Sequence, residues 1–231
     1  MPQRAAPAQP LKRAEKKEVT RQQLIAATVD SIAASGFAET TLHKVSARAQ
    51  VSRSLVNFHF ESKEQLLVAT LRHLTEEYRT FWMKAISRPG LDAAGKLNAI
   101  LEADFHPQVC NRKKIAVWYA FWGESKSRPT YMEVCARADT DFAAAMEGLT
   151  AEIVAEGGYA VEPAVAAKGL RCMIDGLWLE LLLAPATFER ETAKRTCRTY
   201  LAALFPAHFA LPAVAGTEAA RAPAAATGGR R

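Results

Sequence analysis

Apolar side chains along this chain recur at spacings of three and four. No stretch alternates apolar and polar with the period of two that a half-buried strand requires. That rhythm predicts an all-α protein. Thr20 to Ser35 reads as the first helix, with Leu24, Ile25, Thr28, Val29 and Ile32 on one face and Gly36 ending it. Phe37 then returns toward a small core. Thr41, followed by Leu42, Val45, Ala49 and Val51, reads as a capped two-turn helix. Ser52 opens a still shorter helix over Arg53 to Phe58, and Glu61-Ser62 breaks it. From Ser62 to Ser87 a long helix carries Leu66, Leu67, Leu71, Leu74, Tyr78, Phe81 and Trp82 on a stripe, and Pro89-Gly90 stops it. At about 1.5 Å per residue it spans roughly 35–40 Å, enough to join a site at one end of the molecule to a pocket at the other. Leu91 to Phe205 reads as helix throughout, with breaks at His106-Pro107, Ser127-Arg128-Pro129, Gly157-Gly158, Pro163 and Pro185.

Both ends lose the rhythm. Residues 1–17 are rich in Pro, Ala and Lys, residues 208–231 in Ala, Pro and Gly, and both read as disordered tails. The chain between them divides into an N-terminal unit at 18–67, continuing along the long helix to about 87, and a larger unit at 68–207.

Charge sharpens the division. The first 63 residues hold ten Lys and Arg against five Asp and Glu, and the remainder holds twenty against nineteen. Nearly all the positive excess therefore travels with the short helices, as on a surface that meets phosphate. Arg4, Lys12, Arg13, Lys16 and Lys17 can extend that surface as a basic arm, but a solvated tail is the preferred reading of them. Cys110, Cys135, Cys172 and Cys197 are too scattered for a zinc site and read as reduced thiols, so neither metal nor cofactor is expected. No nucleophile–base pair and no phosphate loop stands out, which argues against an enzyme. The N-terminus lacks the apolar run of a signal peptide, and Leu177 to Ala186 is too short to span a bilayer. The expectation is a cytoplasmic protein without a membrane partner.

Short helix, tight turn, short helix is the helix-turn-helix pattern. A stub such as Arg53 to Phe58 is unstable alone and must be held by neighbours, as a recognition helix is when presented to a major groove. Arg53, Ser54 and Asn57 are the candidates for base edges, since Arg pairs best with guanine and Asn with adenine. Thr41, His59 and Lys63 are candidates for phosphate, with the helix N-terminus at Lys63 adding affinity for anions; Lys44 and Arg21 are further phosphate candidates. An ordinary helical hairpin with solvated polar residues carries the same pattern.

The run from Gln22 to Leu67 resembles the DNA-binding domain of the TetR repressor family. The resemblance rests on Leu24-Ile25-Ala26-Ala27, Gly36, Thr41-Leu42, Val45, Ala49, Val51-Ser52, His59-Phe60 and Lys63-Glu64-Gln65-Leu66-Leu67. Three positions depart from the family pattern. Gln50 stands where Gly is usual, at a turn position favouring positive φ; Ser54 replaces another frequent Gly; Asn57 replaces a common Tyr. These bear on the operator sequence more than on the fold.

In the larger unit, Trp118-Tyr119-Ala120-Phe121-Trp122 places four aromatics in five residues. Trp118, Phe121 and Trp122 share a helix face, and Asp175 and Trp178 lie at i, i+3 farther on. Rings facing a carboxylate suit a quaternary ammonium, each ring contributing roughly 0.5–2 kcal/mol when desolvated. The same stripe serves equally as core, with Asp175 in a structural role. The runs Ala116 to Trp122, Pro129-Thr130-Tyr131 and Ile174 to Leu179 are similar to the choline-responsive BetI branch of the TetR family. That resemblance implies a repressor of genes converting choline to glycine betaine, an osmoprotectant, released from its operator by choline. The ligand residues would be Trp82, Phe105, Trp118, Tyr119, Phe121, Trp122, Asp175 and Trp178. A TetR-type repressor of another apolar or cationic ligand is the alternative. Gly169 and Gly176, and the stripe Ala193, Cys197, Tyr200, Leu201 and Leu204, read as helix faces able to pair with a second copy. A homodimer on palindromic duplex DNA follows from the resemblance.

Overall fold

The computed structural model describes residues 13–211. Among these lie nine helices and no strand: α1 (Arg13–Ser35), α2 (Leu42–Arg48), α3 (Arg53–His59), α4 (Lys63–Ile86), α5 (Ala93–Asp104), α6 (Arg112–Ser125), α7 (Pro129–Gly157), α8 (Pro163–Leu183) and α9 (Arg190–Leu204). Among the described residues no helix is long and apolar enough to cross a membrane.

Both expected tails need correction where they enter the described residues. Helix α1 begins at Arg13, not Thr20. Its first turns, Arg-Ala-Glu-Lys-Lys-Glu-Val, are strong helix formers. Glu18 accepts from the Gln22 amide at 2.8 Å and pairs with Arg21. An exposed extension of an already nucleated helix adds one hydrogen bond per residue and needs no apolar face of its own. At the far end His208 and Phe209 are packed, the Tyr159 hydroxyl meeting His208 Nδ1 at 2.9 Å. The rest of the expected tails, residues 1–12 with Arg4 and Lys12, and 212–231, lies outside the described residues.

Local capping explains where the short helices start. Thr41 Oγ1 accepts from the Lys44 N–H, Ser52 Oγ from Leu55 and Ser62 Oγ from Gln65. Proline opens α7 and α8, where its missing N–H costs nothing. Gln50, between α2 and α3, has φ of 55° and is the one non-glycine with positive φ among the described residues. The side-chain amide of Gln23 on α1 donates to Ala49 O at 2.6 Å and pins that turn.

Two cores result. The smaller one gathers Leu24, Ile25, Val45, Ala49, Val56, Phe60 and Leu66 from α1 to α4. The larger one extends from Leu67 through Phe205 and also takes Val29, Ile32 and Phe37. Helices α1 and α4 therefore each belong to both, their apolar stripes passing from one core into the other.

The stripe on α9 turns inward. Ala193, Cys197 and Leu201 are buried in their own chain, so they correct the expectation of a face for a second copy. A Cβ at Gly169 would collide with the Tyr200 hydroxyl, which donates to Ala166 O at 3.0 Å; this glycine serves the α8–α9 contact within the chain. Lys194 and Arg198 of α9 hold Glu102 of α5 from the same side. What remains outward is one face of α8, where Val165, Cys172, Leu179 and Leu183 are exposed at helical spacing.

Candidate functional site

Helix α3 is seven residues long and is held by Val56, fully buried, and by Phe60 at its C-cap. That anchoring leaves Arg53, Ser54 and Asn57 exposed on one outward surface. The hydroxyls of Ser52 and Ser54 meet at 2.8 Å, so Ser54 is tied to the cap. Thr41 is exposed at the start of α2, and its oxygen is used in capping. Lys44 pairs with Glu39 at 3.2 Å, Arg21 lies 5.5 Å from the Phe60 ring centre, and Lys63 lies 5.8 Å from that of Phe37. His59 is more withdrawn than Arg53, Ser54 and Asn57. Its Nδ1 is buried without a partner, and burial, with Lys17 and Arg21 nearby, pushes its pKa below the usual value.

Two features of this surface escaped the pattern of the sequence. Phe58 projects from α3 with 66% of its surface exposed. The extension of α1 brings Arg13, Lys16 and Lys17 beside Leu55, Phe58 and His59, with Lys17 Nζ 5.5 Å from the Phe58 ring centre. The basic residues read as a tail thus stand, from Arg13 on, as a helical row alongside α3. Only the helix-forming composition of residues 13–19 signalled this.

In the larger unit the aromatic run of α6 divides between two places. Trp118 faces Tyr78, and Trp122 packs against both Trp118 and Tyr119. Tyr78, Trp118, Trp122 and Trp178 line a narrow chamber with Cys135, Ala138, Asp139 and Arg171, with a cavity volume of only about 10 Å³. Beside it opens a cleft of about 600 Å³, lined by Trp122, Asp139, Phe142, Glu147, Arg171 and Asp175 among others. Phe121 lies elsewhere, with its ring centre 5.6 Å from Phe37 and 5.3 Å from Tyr131. Spacings of three and four span about 100° of a helix between Phe121 and Trp122, wide enough to serve two neighbours. Phe105 and Trp82 are buried in the core, Trp82 edge-on to Phe142 at 5.5 Å. The Tyr119 hydroxyl donates to the backbone carbonyl of Asp175 at 2.7 Å and ties α6 to α8.

The chamber's polar groups were mostly unseen in sequence. The Tyr78 hydroxyl donates to Asp104 Oδ1 at 2.6 Å, and Trp178 Nε1 donates to the Asp104 carbonyl at 3.2 Å. Asp104 is fully buried and its Oδ2 has no partner; burial pushes its pKa up to about 7, against the Tyr78 hydrogen bond and Arg171, which hold it down. Arg171 bonds Asp175 at 3.1 Å and Asp139 at 3.3 Å, its guanidinium 4.8 Å from the Phe142 ring centre. A lone Asp at the end of an apolar helix was the only available sign of Asp104.

The two cores meet through a charged junction. Arg128, before α7, bonds Glu64 in the first turn of α4 at 2.8 Å, and the Tyr131 hydroxyl donates to the same carboxylate at 3.1 Å. Arg128 also lies over Phe37 and Tyr131. Lys114 pairs with Glu77 at 2.7 Å, and Lys113 with Asp30. Helix α6 thus presents indoles to the chamber and Phe121 to this junction.

Residues 24–70 match the model for bacterial regulatory proteins of the tetR family, and residues 93–206 match that for the BetI-type transcriptional repressor C-terminal domain. The chain is 32% identical to the HTH-type transcriptional regulator BetI of Paraburkholderia xenovorans strain LB400, over 80% of this chain and 93% of that one. It is 34% identical to the BetI of Paraburkholderia phymatum, over 80% and 92%. Among solved structures, a protein of Pseudomonas aeruginosa PAO1 described as a transcriptional regulator superposes with a TM-score of 0.74 at 30% identity, covering 83% of this chain and 93% of that one. A Saccharomonospora viridis regulator, solved in complex with choline, superposes at 0.71 with 18% identity, covering 80% and 96%, and speaks to the fold alone. The chain belongs to the TetR family, as a DNA-binding, ligand-responsive transcriptional repressor with a BetI-type C-terminal domain, and not to the enzymes.

Proposed function

We propose that this repressor works as a cytoplasmic homodimer on palindromic operator DNA and is released by choline or a close quaternary ammonium, controlling genes that make glycine betaine. The observation that carries the ligand reading is the convergence of Trp122, Phe142, Asp139 and Asp175 on one open cleft. Aromatic faces and carboxylates attract an ammonium that cannot donate strong hydrogen bonds. The BetI relatives and the choline-bound neighbour support the same ligand class. The narrow pocket behind Trp122 has no room for choline, so the cation seats in the cleft, with Trp118 and Trp178 as the wall behind it. The breadth of the cleft favours a bulkier organic cation as the second reading.

At the DNA, Arg53, Ser54 and Asn57 read bases, and Thr41, Lys44, Lys63 and Arg21 fix register on phosphate, joined by Lys16 and Lys17. The unit at 18–67 binds DNA and the unit at 68–207 binds ligand and the second copy. The exposed α8 face of Val165, Cys172, Leu179 and Leu183 pairs with its symmetry mate. Ligand in the cleft shifts α6, which carries Phe121 and the junction with it and changes the separation of the two α3 helices. Coupling of this kind is reciprocal: operator DNA weakens choline by the factor by which choline weakens DNA.

A gel shift with and without saturating choline tests this; the expected result is release. An unchanged shift rejects choline as inducer and leaves DNA binding untouched. Calorimetry with choline, betaine aldehyde and a bulky drug cation separates the two readings. Trp122→Ala, at the partly exposed edge of the cleft, should weaken choline about tenfold while sparing operator affinity.

A further inference from the structure

The cleft already holds a cation. Arg171 extends from α8 so that its guanidinium rests over the face of Phe142, 4.8 Å from the ring centre, with Asp175 on its own helix and Asp139 on α7 as its bonded carboxylates. Its side chain is 21% exposed. Arg171, Asp139 and Trp122 line both the wide cleft and the narrow ring chamber, so Arg171 stands at the boundary between them.

We propose that Arg171 is a resident stand-in for the ligand: it occupies the seat of the ligand's cationic group, and a small organic cation binds by displacing it. This rests on the cation-sensor reading given above.

The physical case has three parts. Asp175, 34% exposed and with Oδ1 buried beside the rings, is costly to leave without a positive neighbour because its ionised form loses hydration there, and Asp139, 59% exposed, adds a second, more open carboxylate. The chain supplies one from within, in the geometry an organic cation would adopt: over a ring face and between two carboxylates. A guanidinium and a quaternary ammonium cannot share that seat. The displaced side chain also has somewhere to go, since the exposed carboxylate of Glu147 lines the same cleft. Displacement thus exchanges one cation for another at nearly constant local charge. It also explains a selectivity that rings alone would not impose: a neutral molecule of the same shape can fill the cleft but cannot replace Arg171 between its carboxylates.

The test is calorimetry on the full chain with choline chloride, tetramethylammonium chloride and the neutral carbon isostere of choline. Proteins compared are wild type, Arg171→Met, Arg171→Lys, Asp139→Asn and the double variant Arg171→Met with Asp139→Asn. With the internal competitor gone, Arg171→Met should bind choline and tetramethylammonium about tenfold more tightly. Arg171→Lys, which keeps a competing charge, should stay near wild type. If Arg171→Met does not fold, as judged by circular dichroism, the charge-balanced double variant carries the test and must bind both cations more tightly than Asp139→Asn. Wild type binding either cation without a gain in the folded Arg171→Met, or without a gain in the double variant over Asp139→Asn, overturns the stand-in role and leaves the cation sensor standing. No binding of either cation by any of the five proteins overturns both. Binding of the neutral isostere as strong as that of choline also overturns the stand-in role.

Discussion

The DNA-facing head and the ligand-facing body are built from the same kind of capped helix, yet they turn their polar groups in opposite directions. In the head Arg53, Ser54 and Asn57 stand in solvent over a small apolar core. In the body Asp104, Lys194 and most of Arg171 are drawn inside. The head meets its partner with a surface set in advance by caps three residues away. The body must satisfy each inward group with a distant one: Tyr78 with Asp104, Lys194 with Glu102, Trp178 with the Asp104 carbonyl. A surface of the first kind reads a fixed target; an interior of the second kind can be rearranged by whatever competes for its partners.

Experiments can break that contrast, beginning with the largest effect. Replacing Leu179 and Leu183 together by Glu should leave monomers in sedimentation and cost operator affinity about a hundredfold or more, because two linked recognition helices become one. If operator affinity persists in a monomer, the head alone suffices. Arg53→Ala should cost about 1–3 kcal/mol and relax preference at one base pair, whereas Lys63→Ala should weaken all sequences alike and lower the salt slope by about one. The body's counterpart is a pH dependence. Asp104 has a pKa of about 7 in the folded chain, raised by burial, against about 3.9 for a free Asp. Between those values the folded state keeps a proton that the unfolded state releases, so stability falls as pH rises through the window and levels off above it. Denaturant titrations at about pH 5 and about pH 8 should show this fall in wild type and a flatter response in Asp104→Asn. The smallest effect returns to the head. Gln50→Gly should raise stability by about 0.5–1 kcal/mol by removing the cost of a positive φ, offset in part by added freedom in the unfolded chain.

How much of this was legible in the sequence follows the same divide. Thr41, Ser52 and Ser62 cap helices because a hydroxyl reaches a backbone N–H three residues on, and such signals lie within one window. Gln50 was legible for the same reason, its turn being set by neighbours in the chain. The start of α1 was missed because its first turns have helix propensity without an apolar face. In the body, the Trp118 to Trp122 run announced an aromatic wall, but nothing in the run said that Phe121 turns away to Phe37. Asp104 has only its place at the end of an apolar helix to mark it, and Arg171 has no local mark: their partners arrive from α4, α7 and α8, and their meaning appears only when those helices pack. Asp175 was singled out as a counter-charge for a ligand, and it is found already neutralised by Arg171.

The junction of head and body deserves its own control in any titration against salt. Arg128 with Glu64, Lys114 with Glu77 and Lys113 with Asp30 are all partly open to water, and such pairs loosen as mobile ions accumulate. Potassium chloride would then act twice on the same curve: once by competing for the duplex, and once by relaxing the hinge that aims the reading heads. The measured slope would overcount the phosphates touched. The slope of a Glu64→Gln protein, which lacks the Arg128 pair, would lie closer to the true number, and the difference between the two slopes would measure what that pair contributes to how stiffly the reading heads are mounted.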